Sequence, residues 1–253
     1  MGLKIYPMVA AELHVDAGSL CLFAPKDDEF GKRAFGDSYN GTVSIPIIIW
    51  YIGGGPEKVL VDTSFEEKEY PEGGPLIRPE WRIEKSLSRM GVKPEDIDLV
   101  INTHLHNDHF GNNEMFTNAR FIIQKDEIPL AMAPPKWAPY YFKGESHHIL
   151  NVVDRIEAVD GEREIAKGIT VVRLGGHTPG SQAVIVELEG KRAAIAGDVV
   201  PTFFNMENFW PNGNYWDLEE LVRGMQYLKA NSDAVLPSHD WRLFTIYQNG
   251  VVQ

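Results

Sequence analysis

The stretch Thr103-His104-Leu105-His106-Asn107-Asp108-His109-Phe110-Gly111 constrains this chain more than any other. It sets three imidazoles and a carboxylate within six residues, in a chain that has eight histidines in all. A merely polar loop is the plainer reading, but it does not explain so dense a cluster. The apolar run before it, Asp98-Leu99-Val100-Ile101-Asn102, reads as a short buried strand. Alternate residues of an extended segment point the same way, so His104 and His106 share one target. Asn107-Asp108 is a turn pair, and beyond the turn Asp108 and His109 face a second point a few ångströms away. One stretch therefore feeds two adjacent metal positions.

Three further positions share one context, the loop after an apolar strand. His177 follows a strand at 169–174, Asp198 follows one at 192–196, and His239 follows one at 233–237. Singly, a His in a Gly-Pro turn reads as structural and an Asp after Gly as a helix cap. Together with the cluster they make five His and two Asp in four strand-end loops, where an α/β sheet builds its site. Imidazole and carboxylate without thiolate suit Zn²⁺ first, with Fe, Mn or Co also compatible. One ion is expected on His104, His106 and His177, and a second on Asp108, His109 and His239. Asp198 bridges them, and Asp108 and Asp198 are the carboxylates expected to act in catalysis. A hydroxide shared by the two ions would then attack a carbonyl or similar centre.

The remaining pattern alternates strands and helices. Strands are expected at 4–10, 18–24, 43–52, 58–63, 120–124, 182–187 and in the strand-end positions above. Gly53-Gly54-Gly55-Pro56 reads as a hairpin turn, since a strand follows it where a phosphate-cradling loop would need a helix. Helices are expected at 79–90, between Pro79 and Gly91, near 125–132, and at 216–230 behind an Asp217 cap. The segment 25–42 reads as a long charged loop suited to a flap. The segments 133–148 and 201–216, rich in aromatics, read as lid, pocket wall, core patch or dimer contact. His147 and His148 lie in the first of these without a partner motif and are not expected to be ligands. With 43% hydrophobic residues in 253, one domain over 1–253 is expected. A formal net charge of −12 argues against a nucleic-acid partner. Cys21 is the single cysteine, so no internal disulfide forms, and it reads as a small buried hydrophobe. No apolar run of about 18 residues suggests a membrane span, and no secretory leader is evident. A cytoplasmic protein with a small-molecule substrate is the expectation.

The ligand series His104-x-His106-x-Asp108-His109, His177, Asp198, His239 resembles that of the metallo-β-lactamase superfamily in order and spacing. Val61-Asp62-Thr63, His177-Thr178-Pro179-Gly180 and Gly197-Asp198 match as well. The resemblance spans nearly the whole chain. It implies an α/β fold, a four-layer αβ/βα sandwich with metals at one edge of two sheets, and it leaves the substrate open. Periplasmic-type zinc β-lactamases usually carry Cys where Asp198 stands, and flavodiiron proteins carry Glu where His106 stands. RNA-processing members have a basic surface, whereas this chain is acidic. Glyoxalase II enzymes have a helical region after the last ligand, for which Asp240–Gln253 is too short. The chain most resembles the lactonase-like branch, including N-acyl homoserine lactonases. One departure is Pro201, where those enzymes commonly carry a Tyr that holds the substrate carbonyl. Tyr215, Tyr140 and Tyr141 are the candidate substitutes. Other ester, amide or thioester hydrolysis remains compatible with the same site. So does a mononuclear iron persulfide-type dioxygenase, although the intact Asp108, His109 and His239 set argues against that.

Overall fold

The computed structural model describes residues 2–25, 27–37, 39–138 and 147–253. Two sheets face each other. The first runs in chain order through β1 (Lys4–Asp16), β2 (Thr42–Gly53), β3 (Val59–Val61), β4 (Leu99–Ile101), β5 (Arg120–Gln124) and β6 (Ile156–Val159). The second contains β7 (Glu162–Ala166), β8 (Ile169–Arg173), β9 (Gln182–Leu188), β10 (Lys191–Ile195) and β11 (Ala234–Leu236), in the order β11-β10-β9-β8-β7. Strands β3 to β6 are parallel, and so are β10 and β11. The helices are α1 (Ala17–Leu20), α2 (Asp28–Phe35), α3 (Ile83–Ser88), α4 (Asn107–Phe110), α5 (Glu127–Met132), α6 (His147–Leu150), α7 (Phe203–Glu207), α8 (Leu218–Asn231) and α9 (Arg242–Ile246).

Strand β2 shows why the layers stack as they do. Its run Ile47–Ile52 is apolar at every position because both faces are covered. Ile48, Trp50 and Ile52 meet Val171, Val184 and Ile195 of the second sheet. Ile49 and Tyr51 turn the other way, onto the cluster that includes Ile83 and Leu87 of α3. On the far side α8 buries Leu221, Met225 and Leu228 against Val172, Ile185 and Ala194. Each such side chain contributes roughly 1.5–3 kcal/mol when fully buried. Helix, sheet, sheet, helix is the αβ/βα sandwich expected from the sequence.

Several elements depart from expectation, each for a local reason. The first strand runs on to Asp16 through a bulge between Val9 and Ala11. The expected strand at 18–24 is instead α1 and a turn, with the Asp16 carboxylate accepting the Gly18 N–H. The segment 25–42 carries α2, capped by the Asp27 carboxylate on the Phe30 N–H and held by Phe30 against Phe204. The helix expected over 79–90 breaks at Arg82 into a 3₁₀ turn and α3. There the Glu67 carboxylate, from a distant loop, accepts the Ile83 N–H at 2.8 Å and caps the second piece. Asp217 does cap α8, accepting the Glu220 N–H at 2.8 Å. Among the described residues, no helix is long and apolar enough to cross a membrane.

Candidate metal centre

The loops after β4, β8, β10 and β11 leave the sheets at one end and converge. The first of them does not make the simple turn expected at Asn107-Asp108. His106 is extended, with φ −73° and ψ 151°, and α4 begins at the next residue. The switch from strand-like to helical backbone separates His104 and His106 from Asp108 and His109. Gly111, just beyond, has no space for a side chain, since a Cβ there would lie 2.3 Å from the Glu66 backbone nitrogen.

The first group is three imidazoles. His106 Nδ1 lies 3.0 Å from both His104 Nε2 and His177 Nε2. The second group is Asp108, His109 and His239, with Asp108 Oδ2 at 3.4 Å from His109 Nε2 and 3.7 Å from His239 Nε2. Asp198 presents one oxygen to each group. Its Oδ2 is 3.5 Å from His177 Nε2, and its Oδ1 is 3.4 Å from His109 Nε2 and 3.0 Å from His239 Nε2. Nitrogen and oxygen ligands at zinc distances stand about 3.3 Å apart on a tetrahedron, so these spacings suit two cations side by side. All seven sequence-expected residues are brought together.

The outward ring nitrogens fix the rings. His109 Nδ1 donates to Asp62 at 2.8 Å, His177 Nδ1 to the Asn214 carbonyl at 2.7 Å, and His239 Nδ1 to the Pro46 carbonyl at 3.0 Å. His104 Nδ1 lies 3.2 Å from the Thr103 hydroxyl. Each donation leaves an Nε2 lone pair turned inward, as metal-ligating histidines require. His109 Nε2 is buried without a hydrogen-bond partner, which is costly unless a cation meets it. The donor set therefore fits metal ions on an observation independent of residue type.

Electrostatics divide the centre. Burial, reinforced by neighbouring imidazoles, holds His104 and His106 well below the ordinary imidazole range, and burial lowers His177 too. Burial opposes protonation of His109 as well, but the Asp108, Asp62 and Asp198 carboxylates hold it well above that range. His239 is also raised, with burial outweighed by Asp198 and Asp108. Burial would raise Asp198, yet His239 and His109 hold it well below the usual carboxylate range.

Residues the sequence did not single out position this set. Asp62, buried with a left-handed φ of 59°, accepts the Thr103 N–H at 2.7 Å and the Thr103 hydroxyl at 2.8 Å besides His109. Strained backbone of this kind clusters at functional sites. Burial pushes its carboxyl up, against the lowering by His109 and Thr103. Glu127, at the start of α5, accepts the Leu105 N–H at 2.9 Å and the Gly180 N–H at 2.8 Å, tying the His104 loop to the His177 loop. The Asn212 amide donates to the Asp198 carbonyl at 2.7 Å. Only Asp62 had a sequence signal, in the Val61-Asp62-Thr63 match; Glu127 and Asn212 had none.

A cavity of about 330 Å³ opens onto the centre. Its floor is His106, Asp108, His177, Asp198 and His239; its wall is Leu13, Val15, Leu20, Ile45, Phe65 and Tyr70. Among the described residues, the lining includes no Lys or Arg. From the aromatic segments, Pro201, Asn212 and Asn214 reach it, but Phe204 and Trp210 pack into the core against Phe30. Tyr215 is 43% exposed and does not line the cavity, whereas Tyr70 does. Tyr140 and Tyr141 lie outside the described residues. His147 and His148 are grouped with Glu114, apart from the seven. Cys21 is buried and remote from the histidines in hydrogen bonding, meeting Asn205.

With this geometry in view, known proteins can be compared. The profile of the Metallo-beta-lactamase superfamily matches residues 46–239. An N-acyl homoserine lactonase of Bacillus cereus is 31% identical over 158 residues, covering 62% of this chain and 59% of that protein's length. Another, from Agrobacterium fabrum (strain C58), is 27% identical with 96% of each chain covered. The solved structure of a dizinc quorum-quenching lactonase in complex with the product N-hexanoyl-L-homoserine superposes with a TM-score of 0.73 at 18% identity, covering 94% of this chain and 88% of that one. At that identity the likeness shows a shared fold.

Proposed function

We propose, for a chain that belongs to the metallo-beta-lactamase superfamily and is a hydrolase of that superfamily, that it uses two divalent ions to open the ester ring of a small lactone. An N-acyl homoserine lactone or a near relative is the substrate class. The observation that carries the reading is Asp198, which turns one carboxylate oxygen to each of two three-residue groups beside an apolar cavity. The lactonase relatives and the dizinc lactonase that shares the fold support it.

His104, His106 and His177 would hold one ion, Asp108, His109 and His239 the other, with Asp198 common to both. Zn²⁺ suits this donor set best, with Fe, Mn or Co compatible. Bound there, the ions supply Lewis acidity and lower the pKa of water toward neutrality. The protein residues do the rest. Leu13, Val15, Leu20 and Ile45 accept an apolar acyl substituent and exclude water from the reacting ester. Among the described residues the wall is apolar and carries no Lys or Arg, which suits a neutral acyl substituent. Hydroxide adds to the lactone carbonyl carbon, the ring C–O bond breaks, and the departing alkoxide needs a proton. Asp108 faces the cavity and would pass the proton of the added hydroxide to that alkoxide, leaving a carboxylate and an alcohol. Tyr70 stands on the wall, its hydroxyl donating to the Glu66 carbonyl at 3.0 Å. With that proton given to Glu66, Tyr70 contributes its ring to the wall and does not fill the place left by Pro201.

The test is metal analysis with turnover. Purified protein carrying two ions per chain should open N-acyl homoserine lactones, followed by acid release. Two ions without any lactone opening would sink the lactonase reading and send the search to other esters, amides and thioesters. One iron per chain with oxygen uptake on a thiol persulfide would replace the reading by the dioxygenase one.

A further inference from the structure

A separate set of ligand-type side chains lies behind α4. Glu114 sits on the 3₁₀ turn Asn113–Met115, and His147 and His148 open α6. One donor atom from each of the three falls within 4.8 Å of the others. We propose that Glu114, His147 and His148 form a third, peripheral divalent-cation site, distinct from the seven-residue centre.

Three observations carry this. The His148 Nδ1 to Glu114 Oε1 separation is 3.2 Å, close to the about 3.3 Å edge between ligands on a tetrahedral ion. Adjacent residues on a helix do not normally face each other, yet the His147 and His148 rings lie 3.9 Å apart, centre to centre. A hydrogen bond from His148 to Glu114 would not by itself bring a second imidazole there, and the pairing sets both rings beside one carboxylate. Third, the site is half built and half open. His148 is buried and packs edge-to-face on Phe110 at 5.8 Å, which fixes its ring. Glu114 and His147 are exposed, so an ion can enter and water can complete its shell. The Glu66 carboxylate lies within electrostatic reach of both imidazoles, and the chain's charge of −12 favours cations generally. Two imidazoles and a carboxylate select zinc-like ions over calcium or magnesium.

The experiment adds Zn²⁺ alone to protein whose centre is already loaded and follows uptake by calorimetry. Wild type should take one further equivalent, and its thermal midpoint should rise with it. H147A and E114Q should each weaken that equivalent at least tenfold and abolish the thermal shift, while keeping the ions held before titration. No further equivalent in wild type, or the same uptake in both variants, overturns the proposal. His148→Ala is not used as the probe because that ring supports Phe110. The readout is uptake beyond the loaded centre, compared between wild type and variants. A failed lactonase assay therefore leaves this result interpretable, and a failed third site leaves the centre untouched.

Discussion

His109 carries more of the centre's physics than any other side chain. Its Nδ1 is fixed by Asp62, its Nε2 is buried without a partner, and two carboxylates stand 3.4 Å from that nitrogen. Removing it, or Asp108, should cost one of two ions and lower hydrolysis on the order of 100-fold or more, since even outer-shell partners are worth about 10–100-fold. Metal counts and rates on H109A and D108A check this, and full activity in both would refute the two-ion mechanism. Asp62→Asn should weaken the same ion by roughly 10–100-fold without changing the ligand set. The seven candidate ligands were legible as a set because four fall in one stretch and the others follow apolar strands, and the fold brings them together. Asp62 showed only through the Val61-Asp62-Thr63 match and Glu127 not at all, because a positioning carboxylate resembles any other until the chain brings Thr103 or Gly180 to it. Cys21 yields a different prediction. Burial pushes its thiol up to about 12, so the folded state keeps a proton that the unfolded chain releases above about pH 9. That contribution is complete below pH 9 and fades as pH rises toward 12, by up to about 1.4 kcal/mol per pH unit. Denaturant midpoints should therefore fall across this alkaline window in wild type and fall less steeply in Cys21→Ala. Parallel slopes would dismiss the thiol as the cause.

Between elements, the decisive contact is Glu127, which joins the loop after β4 to the loop after β8 from the first turn of α5. Glu127→Ala would leave the Leu105 and Gly180 N–H groups buried and unsatisfied, at about 1–3 kcal/mol each. The variant should lose stability by that order and release metal faster, because His106 and His177 stand on the two loops it joins. Chemical denaturation and chelator-exchange rates measure both, and unchanged exchange would show that the loops are held otherwise. The elements that the sequence revealed are those with a long or two-sided pattern. β2 declares itself by an apolar run, and α8 by its period and its Asp217 cap. The elements it hid are short and set by partners far along the chain. α2 has too few turns to show a period and depends on Phe204 and Trp210 for a surface to cover. The break at Arg82 depends on the Glu67 carboxylate, which local spacing does not reveal.

For the molecule as a whole, the question is whether the proposed ions would hold the fold or only the site. The shared core of Ile48, Trp50, Val171, Val184 and Ile195 lies between the sheets, and the flanking helices bury their own clusters. None of these needs a metal. The centre instead ties four strand-end loops from both halves of the chain, and without ions it leaves His109 Nε2 unsatisfied. Stripping the ions with a chelator should therefore leave the far-ultraviolet circular dichroism nearly unchanged while lowering the thermal midpoint. Each ion present at 100 times its dissociation constant stabilises by about 2.7 kcal/mol. For a chain of this size 1 kcal/mol moves the midpoint by about 2–4 °C, so two ions correspond to about 10–20 °C. Two equivalents of Zn²⁺ should restore it. Collapse of the dichroism on chelation would make the centre a structural staple. An unmoved midpoint would mean that the loops are already held by Asp62, Glu127 and the carbonyls of Pro46 and Asn214, so that the ions serve chemistry alone.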